Sequence, residues 1–92
     1  MNLDKKYVDK VLKIMELAIK KTIPGKRDVF VEFSAHVGTF HVSIYKNGWN
    51  KEKEADFEKD HVYLDDETIV CEEHKKMLEK QLDDIIKTIE EL

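Results

Sequence analysis

The hydrophobic residues of this chain follow two different periods, and each period predicts a different kind of element. Between residues 3 and 22 apolar side chains recur every three or four positions, which is the period of an amphipathic helix. Asn2 or Asp4 is expected to cap the start of this helix, and the IPG segment at residues 23–25 to end it. The predicted buried stripe consists of Val8, Val11, Leu12, Met15, Ala18 and Ile19.

After the first helix the period shortens to two, as expected for strands with one buried face. Two such strands form a predicted antiparallel hairpin, whose inner face consists of Val29, Val31, Phe33, Ala35, Phe40, Val42 and Ile44. The register that gives every core residue an apolar partner pairs Ala35 with Phe40 and places residues 37–38 in the turn. A register slipped by two residues would instead place His36 opposite His41.

The segment after the hairpin carries a strong turn signal, because both Asn47 and Gly48 tolerate a positive φ. A tight two-residue hairpin at this point would place Lys51 opposite the apolar Ile44, which is a poor cross-strand pair. We therefore predict a longer charged loop over residues 47–54 instead of a second tight turn.

A third strand is predicted over about residues 55–64, with a less regular alternation than the first two strands. Phe57 and Val62 are an odd number of residues apart, so a regular strand would place them on opposite faces. Both side chains reach the same face only if a β-bulge intervenes between them.

A second helix is predicted to follow, opening at residues 64–67 (LDDE) with Asp65 as its N-cap. Its buried stripe is predicted to contain Cys71, Leu78, Leu82, Ile85, Ile89 and Leu92, widened by Val70, Met77 and Ile86. Because Cys71 belongs to this stripe, we expect a buried structural thiol there. A nucleophilic pair of Cys71 with His74 is not expected, since such a pair also needs an orienting group and an oxyanion pocket.

These elements predict a single α+β domain over residues 1–92 in the order α-β-β-β-α. The simplest packing is a three-stranded antiparallel meander with both helices on one of its faces. A chain of 92 residues buries only a modest core, so pairing with a second copy is a common source of stability. We therefore expect a homodimer.

Composition and charge narrow the possible partners and location. With 16 basic and 20 acidic residues the chain lacks the basic excess of a nucleic-acid binder, so that class of partner is not expected. Cys71 is the single cysteine, which excludes an internal disulfide and favours a reducing compartment. The N-terminal segment lacks the apolar core of a signal peptide, and no apolar run approaches the ~20 residues of a membrane span. We expect a cytoplasmic protein without membrane contact.

Candidate chemistry along the chain is sparse. His36, His41 and His61 are the residues from which a zinc site would be built, but their spacing matches no established metal motif. The carboxylates are interspersed with lysines or lie at a helix start, where solvation and the helix dipole account for them. We therefore predict no metal site, no cofactor and no catalytic residue; a metal-binding or enzymatic role for the histidines is the alternative.

The outer face of the predicted sheet is the candidate binding surface. If both helices cover the inner face, the outer face and its adjoining loop expose a cluster of mostly aromatic residues: Phe30, His41, Tyr45, Trp49 and Tyr63. Such clusters are typical of interfaces, and Tyr and Trp are enriched at binding hot spots. Self-association and binding of a partner protein are favoured over stacking of single-stranded bases, because Lys46, Lys51 and Lys53 are offset by nearby acids. If the third strand or the second helix covers these residues, no such surface exists.

The run HVGTFHVSIYKNGW, followed by ADF and VYLDDE, resembles small prophage-encoded proteins of Gram-positive bacteria whose function is uncharacterised. The resemblance covers the central third to half of the chain, and it supplies no catalytic residue. It implies a short accessory protein in a phage or bacterial cytoplasm. Together with the residue patterns, it predicts a small intracellular, non-enzymatic protein that acts through a binding surface, with weak single-strand nucleic-acid binding as a further alternative.

Overall fold

The computed structural model describes residues 3–64 and 71–92. Within these residues the elements are α1 (Lys5–Lys21), β1 (Asp28–Ser34), β2 (Thr39–Tyr45), β3 (Phe57–Tyr63) and α2 (Glu72–Glu90). The strands form one antiparallel sheet in the order β1-β2-β3, and the helices pack on one of its faces, α1 over β1 and α2 over β3. The predicted α+β class, the α-β-β-β-α order and the meander are confirmed.

The core is built on the inner face of the central strand. Phe40, Val42 and Ile44 of β2 are at most 1% exposed, and each lies beneath the helices. Among residues 3–64 and 71–92, the other large side chains that are fully buried are Ile14, Val62, Leu82, Ile85 and Ile89. Since burying one such side chain contributes roughly 1.5–3 kcal/mol, this cluster supplies the main driving force for folding.

The bounds of α1 follow from its caps. The side chain of Asp4 accepts a hydrogen bond from the backbone N–H of Lys6 at 3.1 Å, so Asp4 is the N-cap, one of the two predicted residues. Lys20 and Lys21 lie in the last turn, where a positive charge favours the negative end of the helix dipole. The guanidinium of Arg27 donates to the carbonyl of Lys21 at 2.7 Å and satisfies a free helix end.

The buried face of α1 differs from the predicted stripe. The residues that point into the core are Tyr7, Ile14, Leu17 and Ala18, with Val11 packed against them. Four members of the predicted stripe are exposed instead: Val8, Leu12, Met15 and Ile19. The prediction was wrong because α1 carries two neighbouring apolar stripes, and periodicity by itself does not decide which one faces the sheet.

The predicted stripe of α2 is confirmed over its central turns, where Leu78, Leu82, Ile85 and Ile89 are buried. The described helix begins at Glu72, and the predicted opening with Asp65 as N-cap lies outside the described residues. Cys71 occupies the N-cap position and is exposed, so the expectation of a buried thiol was wrong. The backbone of Cys71 is extended, so this residue lies before the first turn of α2 and does not belong to its buried face.

Ion pairs at the rim connect the two helices, which run in the same direction. Lys10 pairs with Asp83, and Lys6 approaches Glu79 at 3.9 Å. At the other end the Nζ of Lys21 donates to the carbonyl of Glu90, the last residue of α2, at 3.3 Å and to that of Leu92 at 3.2 Å. These contacts are mostly solvent-exposed and add little free energy to the packing of the helices on the sheet.

The hairpin adopts a different register from the predicted one. Phe33 pairs with Phe40, and the loop between the strands comprises residues 35–38. Ala35 is exposed in that loop, and His36 does not face His41 across the sheet. Registers that differ by two residues leave both faces unchanged, so side-chain alternation does not discriminate between them. The longer loop, which passes through Gly38 at a φ of 64°, decides the register.

β3 contains the bulge that its sequence requires. Phe40 pairs with Val62 whereas Val42 pairs with Lys59, so two residues of β3, Asp60 and His61, lie opposite a single residue of β2. The extra residue reverses the alternation within the strand. As a result Val62 is fully buried and Phe57 packs against the same core, as the sequence predicted for a bulged strand.

The connection from β2 to β3 is a long loop, as predicted. The backbone N–H of Gly48 donates to the carbonyl of Tyr45 at 3.3 Å, and the chain re-enters the sheet only at Phe57. Gly48 has a φ of 89°, and a Cβ at this position would lie 2.4 Å from the carbonyl oxygen of Gly25. The turn after β2 therefore packs backbone to backbone against the turn between α1 and β1.

We expect Gly48→Ala to lower the free energy of unfolding by about 2 kcal/mol, because it combines a strained φ with a backbone clash. Gly25→Ala is the matched control, since Gly25 also has a positive φ of 78° but a Cβ there would meet nothing within 4 Å. Urea unfolding of both variants measures the difference. Equal losses for the two variants would show that the close contact of the two turns contributes nothing.

Candidate binding surface

The structure places the five predicted surface residues on one side of the sheet. Phe30 on β1, His41 and Tyr45 on β2, and Tyr63 on β3 project from the outer face, and Trp49 lies in the adjoining loop. Phe30, Trp49 and Tyr63 are 45%, 55% and 47% exposed. Because both helices lie on the opposite face, neither α2 nor the bulged strand covers this cluster.

Three aromatic side chains form one half of the surface. The rings of Phe30 and Tyr45 meet edge to face, with centroids 5.7 Å apart and planes at 87°. Trp49 joins them around a shallow concavity of about 220 Å³ that also contacts His41. Edge-to-face pairs contribute roughly 0.5–1.5 kcal/mol beyond area burial, so this pair holds its rings in a defined orientation.

Hydrogen bonds from backbone N–H groups to two carboxylates hold the loop that carries Trp49 beside the sheet. The backbone N–H of Trp49 donates to Oδ2 of Asp28 at 2.7 Å, which ties the loop to the start of β1. At the base of the loop the backbone N–H of Lys46 donates to Oδ2 of Asp56, also at 2.7 Å. The loop thus brings the indole next to Phe30 although the two residues are far apart in the sequence.

The other half of the surface lies above the bulge. Tyr63 and His61 stand with ring centroids 6.3 Å apart and line a second concavity of about 360 Å³. Val37 of the hairpin loop and Thr39 of β2 also contribute to its wall. The two concavities meet at His41 and Glu32, which line both of them, and they form one groove across the three strands.

The centre of this groove is a histidine surrounded by carboxylates. Nδ1 of His41 lies 3.0 Å from Oδ1 of Asp60, and Nε2 lies 3.3 Å from Oε1 of Glu58. Glu32 is its cross-strand partner on β1. The sequence prediction included His41 but missed these three acids. The alternation of β1 places Glu32 on the outer face, but only the bulge brings Asp60 to the histidine.

Asp60 receives contacts from both histidines of the groove. Besides its bond with His41, Oδ2 lies 3.0 Å from Nδ1 of His61, whose backbone N–H donates to Oδ1 at 2.9 Å. Desolvation acts to raise the pKa of Asp60, but the hydrogen bond with His41 and the charge of His61 outweigh it and hold the pKa below its ordinary value. The carboxylate is therefore ionised at neutral pH.

The three histidines proposed as alternative metal ligands do not converge. His41 and His61 both contact Asp60, whereas His36 lies in the hairpin loop and lines neither concavity. Among residues 3–64 and 71–92, no group of three or more His, Cys, Asp or Glu side chains has an arrangement able to hold a metal ion. Cys71 and His74 lie at the start of α2, on the helical side of the sheet.

Comparison of the chain with family models, with curated proteins and with solved structures finds no match. The described part of the chain has no helix with both the length and the apolar character needed to cross a membrane.

We expect the backbone at the bulge to favour glycine, because His61 has a φ of 55°, in the left-handed region. His61→Gly should match or exceed the wild-type free energy of unfolding, since the exposed contact with Asp60 contributes little. His61→Val should lower it by about 1–3 kcal/mol, because a β-branched residue is strained at a positive φ. Urea unfolding of both variants tests this, and a stable Val variant would show that the bulge conformation is not required.

We expect Asp60 to make stability depend on acid pH. Its folded pKa lies below its unfolded value of about 3.9, so its stabilising effect is complete at neutral pH and is lost as pH falls through the folded pKa. Asp60→Asn should therefore lower Tm at pH 7, and the difference from wild type should shrink as the pH falls below the unfolded value of about 3.9 and through the folded pKa. Thermal unfolding across this range measures the effect, and a difference independent of pH would contradict it.

Proposed function

We propose that this protein is a non-enzymatic, cytoplasmic homodimer that binds a partner protein through the outer face of its sheet. The observation that carries the proposal is the groove itself, in which exposed aromatic rings flank a row of carboxylates. Aromatic residues supply large contact area with little loss of side-chain entropy, and they dominate the binding energy of interfaces. The resemblance to prophage-encoded proteins supports a short accessory role of this kind.

The shape of the groove favours a macromolecular ligand. Small-molecule sites enclose most of their ligand, whereas this groove is open along the sheet and its rings are about half exposed. Tyr45 and Trp49 stand at one end and Tyr63 at the other, so a ligand that contacts all three must span the sheet. An extended or helical segment of a protein has that reach.

The charge of the groove favours a basic segment. The outer-face positions of β1, β2 and β3 include Glu32, Glu58 and Asp60 but no lysine or arginine. Arginine or lysine side chains of a partner would pair with these carboxylates and stack on the neighbouring rings. A nucleic acid would bring its phosphates against the same acids, which disfavours the base-stacking alternative.

We expect Tyr45→Ala combined with Trp49→Ala to abolish capture of the partner while the fold is retained. These side chains line the groove, and Trp49 in particular is held by its backbone, so their truncation removes contact area without opening the core. Affinity capture from an extract of the source organism, followed by mass spectrometry, compares the double variant with wild type. Circular dichroism and thermal unfolding check the fold.

Met77→Ala is the matched control, because Met77 is 59% exposed but lies on α2, away from the groove. A protein captured by wild type and by this control, but not by the double variant, is the expected partner. Its recovery should fall when Glu32→Lys reverses a charge of the groove, and should decrease with added salt. Equal capture by the double variant, or no specific protein captured by wild type, would refute the proposed function.

A further inference from the structure

The exposed stripe of α1 is an apolar surface that the fold leaves without a partner among the described residues. It consists of Val8, Leu12, Met15 and Ile19, which are 36%, 61%, 42% and 71% exposed. Their spacing of four, three and four residues is that of a coiled-coil seam, in which one helix packs along another. The stripe lies beside the buried face of α1 and is separate from it.

The stripe continues onto the sheet and forms a larger patch. Val8 and Leu12 line an apolar concavity of about 230 Å³ together with Leu3, Val11 and Leu64. Phe33, which is 52% exposed on the edge strand β1, closes the same concavity. The apolar patch therefore extends from the middle of α1 to the edge of the sheet, and contiguous patches of this kind mark interaction sites.

The charges beside the stripe indicate which partner binds it. On the side away from the core, α1 carries Asp9, Lys13, Glu16 and Lys20, a series of alternating sign. These side chains are neighbours on the helix surface: Lys20 pairs with Glu16 at 2.8 Å, and Lys20 and Lys13 lower the pKa of Glu16. A second α1 laid antiparallel across a two-fold axis places Asp9 against Lys20 and Lys13 against Glu16. A parallel copy would instead face this charge series with the opposite flank of its own stripe, so the charges would not be matched.

The stripe and the charge series share nearly the same centre. The stripe is centred between residues 13 and 14 and the charges between residues 14 and 15, which amounts to an axial offset of about 3 Å between facing charges of the two copies. Lysine side chains readily span such an offset. The same antiparallel two-fold arrangement therefore matches both Leu12 with Met15 and Lys13 with Glu16 across the interface.

We propose that the exposed stripe of α1 binds the same stripe of a second copy of this chain, with the two helices antiparallel about a two-fold axis. The inference rests on the dimer of the proposed function and assigns its surface. Because α1 lies on the inner side of the sheet, both outer faces stay open in this dimer. It would present two grooves, and two linked grooves bind a repetitive or dimeric partner with increased avidity.

Leu12→Arg should convert the dimer to a monomer, because it places a charge in the centre of the seam. Met77→Arg is the matched control, since Met77 has nearly the same exposure, 59% against 61%, and lies on α2. Size-exclusion chromatography with light scattering at about 100 µM should show wild type and the control as dimers, and dimerisation of Leu12→Arg should be weakened at least tenfold. A monomeric wild type, or a dimeric Leu12→Arg, would overturn the proposal.

An exchange of charges tests the antiparallel arrangement. Lys13→Glu places two acids together across the axis and should weaken dimerisation severalfold, whereas Lys13→Glu combined with Glu16→Lys restores the pairing and should recover it. Failure of the exchange to recover the dimer would reject this geometry. Circular dichroism controls for the loss of the Glu16–Lys20 pair within the helix.

The variant with Tyr45→Ala and Trp49→Ala separates this inference from the proposed function. It should lose partner capture but remain a dimer. A monomeric double variant would place the dimer interface on the outer face and reject the α1 interface. A dimer that depends on Leu12 but captures no protein would support the α1 interface and reject the proposed partner binding.

Discussion

Burial of one face of β2 beneath two helices is the contact on which the other features of this protein depend. Phe40, Val42 and Ile44 are shielded almost completely, and stripes of both helices pack on them. Two helices side by side cover the middle of a three-stranded sheet better than its edges. Phe33 at the edge stays half exposed, and α1, which sits above that edge, turns its second apolar stripe to solvent. The same packing leaves the opposite face of the sheet open.

The bulge in β3 links the core to the groove. An extra residue lets both Phe57 and Val62 contribute to the core, and it places Asp60 and His61 together opposite His41. The left-handed backbone of His61 is the local cost of this arrangement. Hydrophobic burial decides which residues of β3 face the core, and as a result Glu58 and Asp60 lie beside His41 on the outer face. The arrangement of the groove therefore depends on how β3 packs into the core, and not only on the residues of the outer face.

Sequence periodicity predicted the elements well, because the change from a period near four to a period of two is a local property of the chain. The outer-face positions of Phe30, His41 and Tyr45 followed from the same alternation. Errors arose where two arrangements satisfy the pattern equally. The hairpin registers differ by two residues and preserve both faces, and α1 has two apolar stripes, of which one contains Leu12 and the other Ile14. Cys71 was misplaced because the described helix begins only after it.

The amino-acid sequence by itself determined the order of helices and strands, the need for a bulge between Phe57 and Val62, and the residues available to the outer face. These follow from side-chain direction, which repeats along each element. Only the tertiary structure decided which stripe of α1 is buried, which residues meet across the hairpin, and which acids surround His41. Those choices depend on contacts between residues distant in the chain, where the packing of the helices over β2 and the length of each loop select one arrangement among several that the local pattern permits.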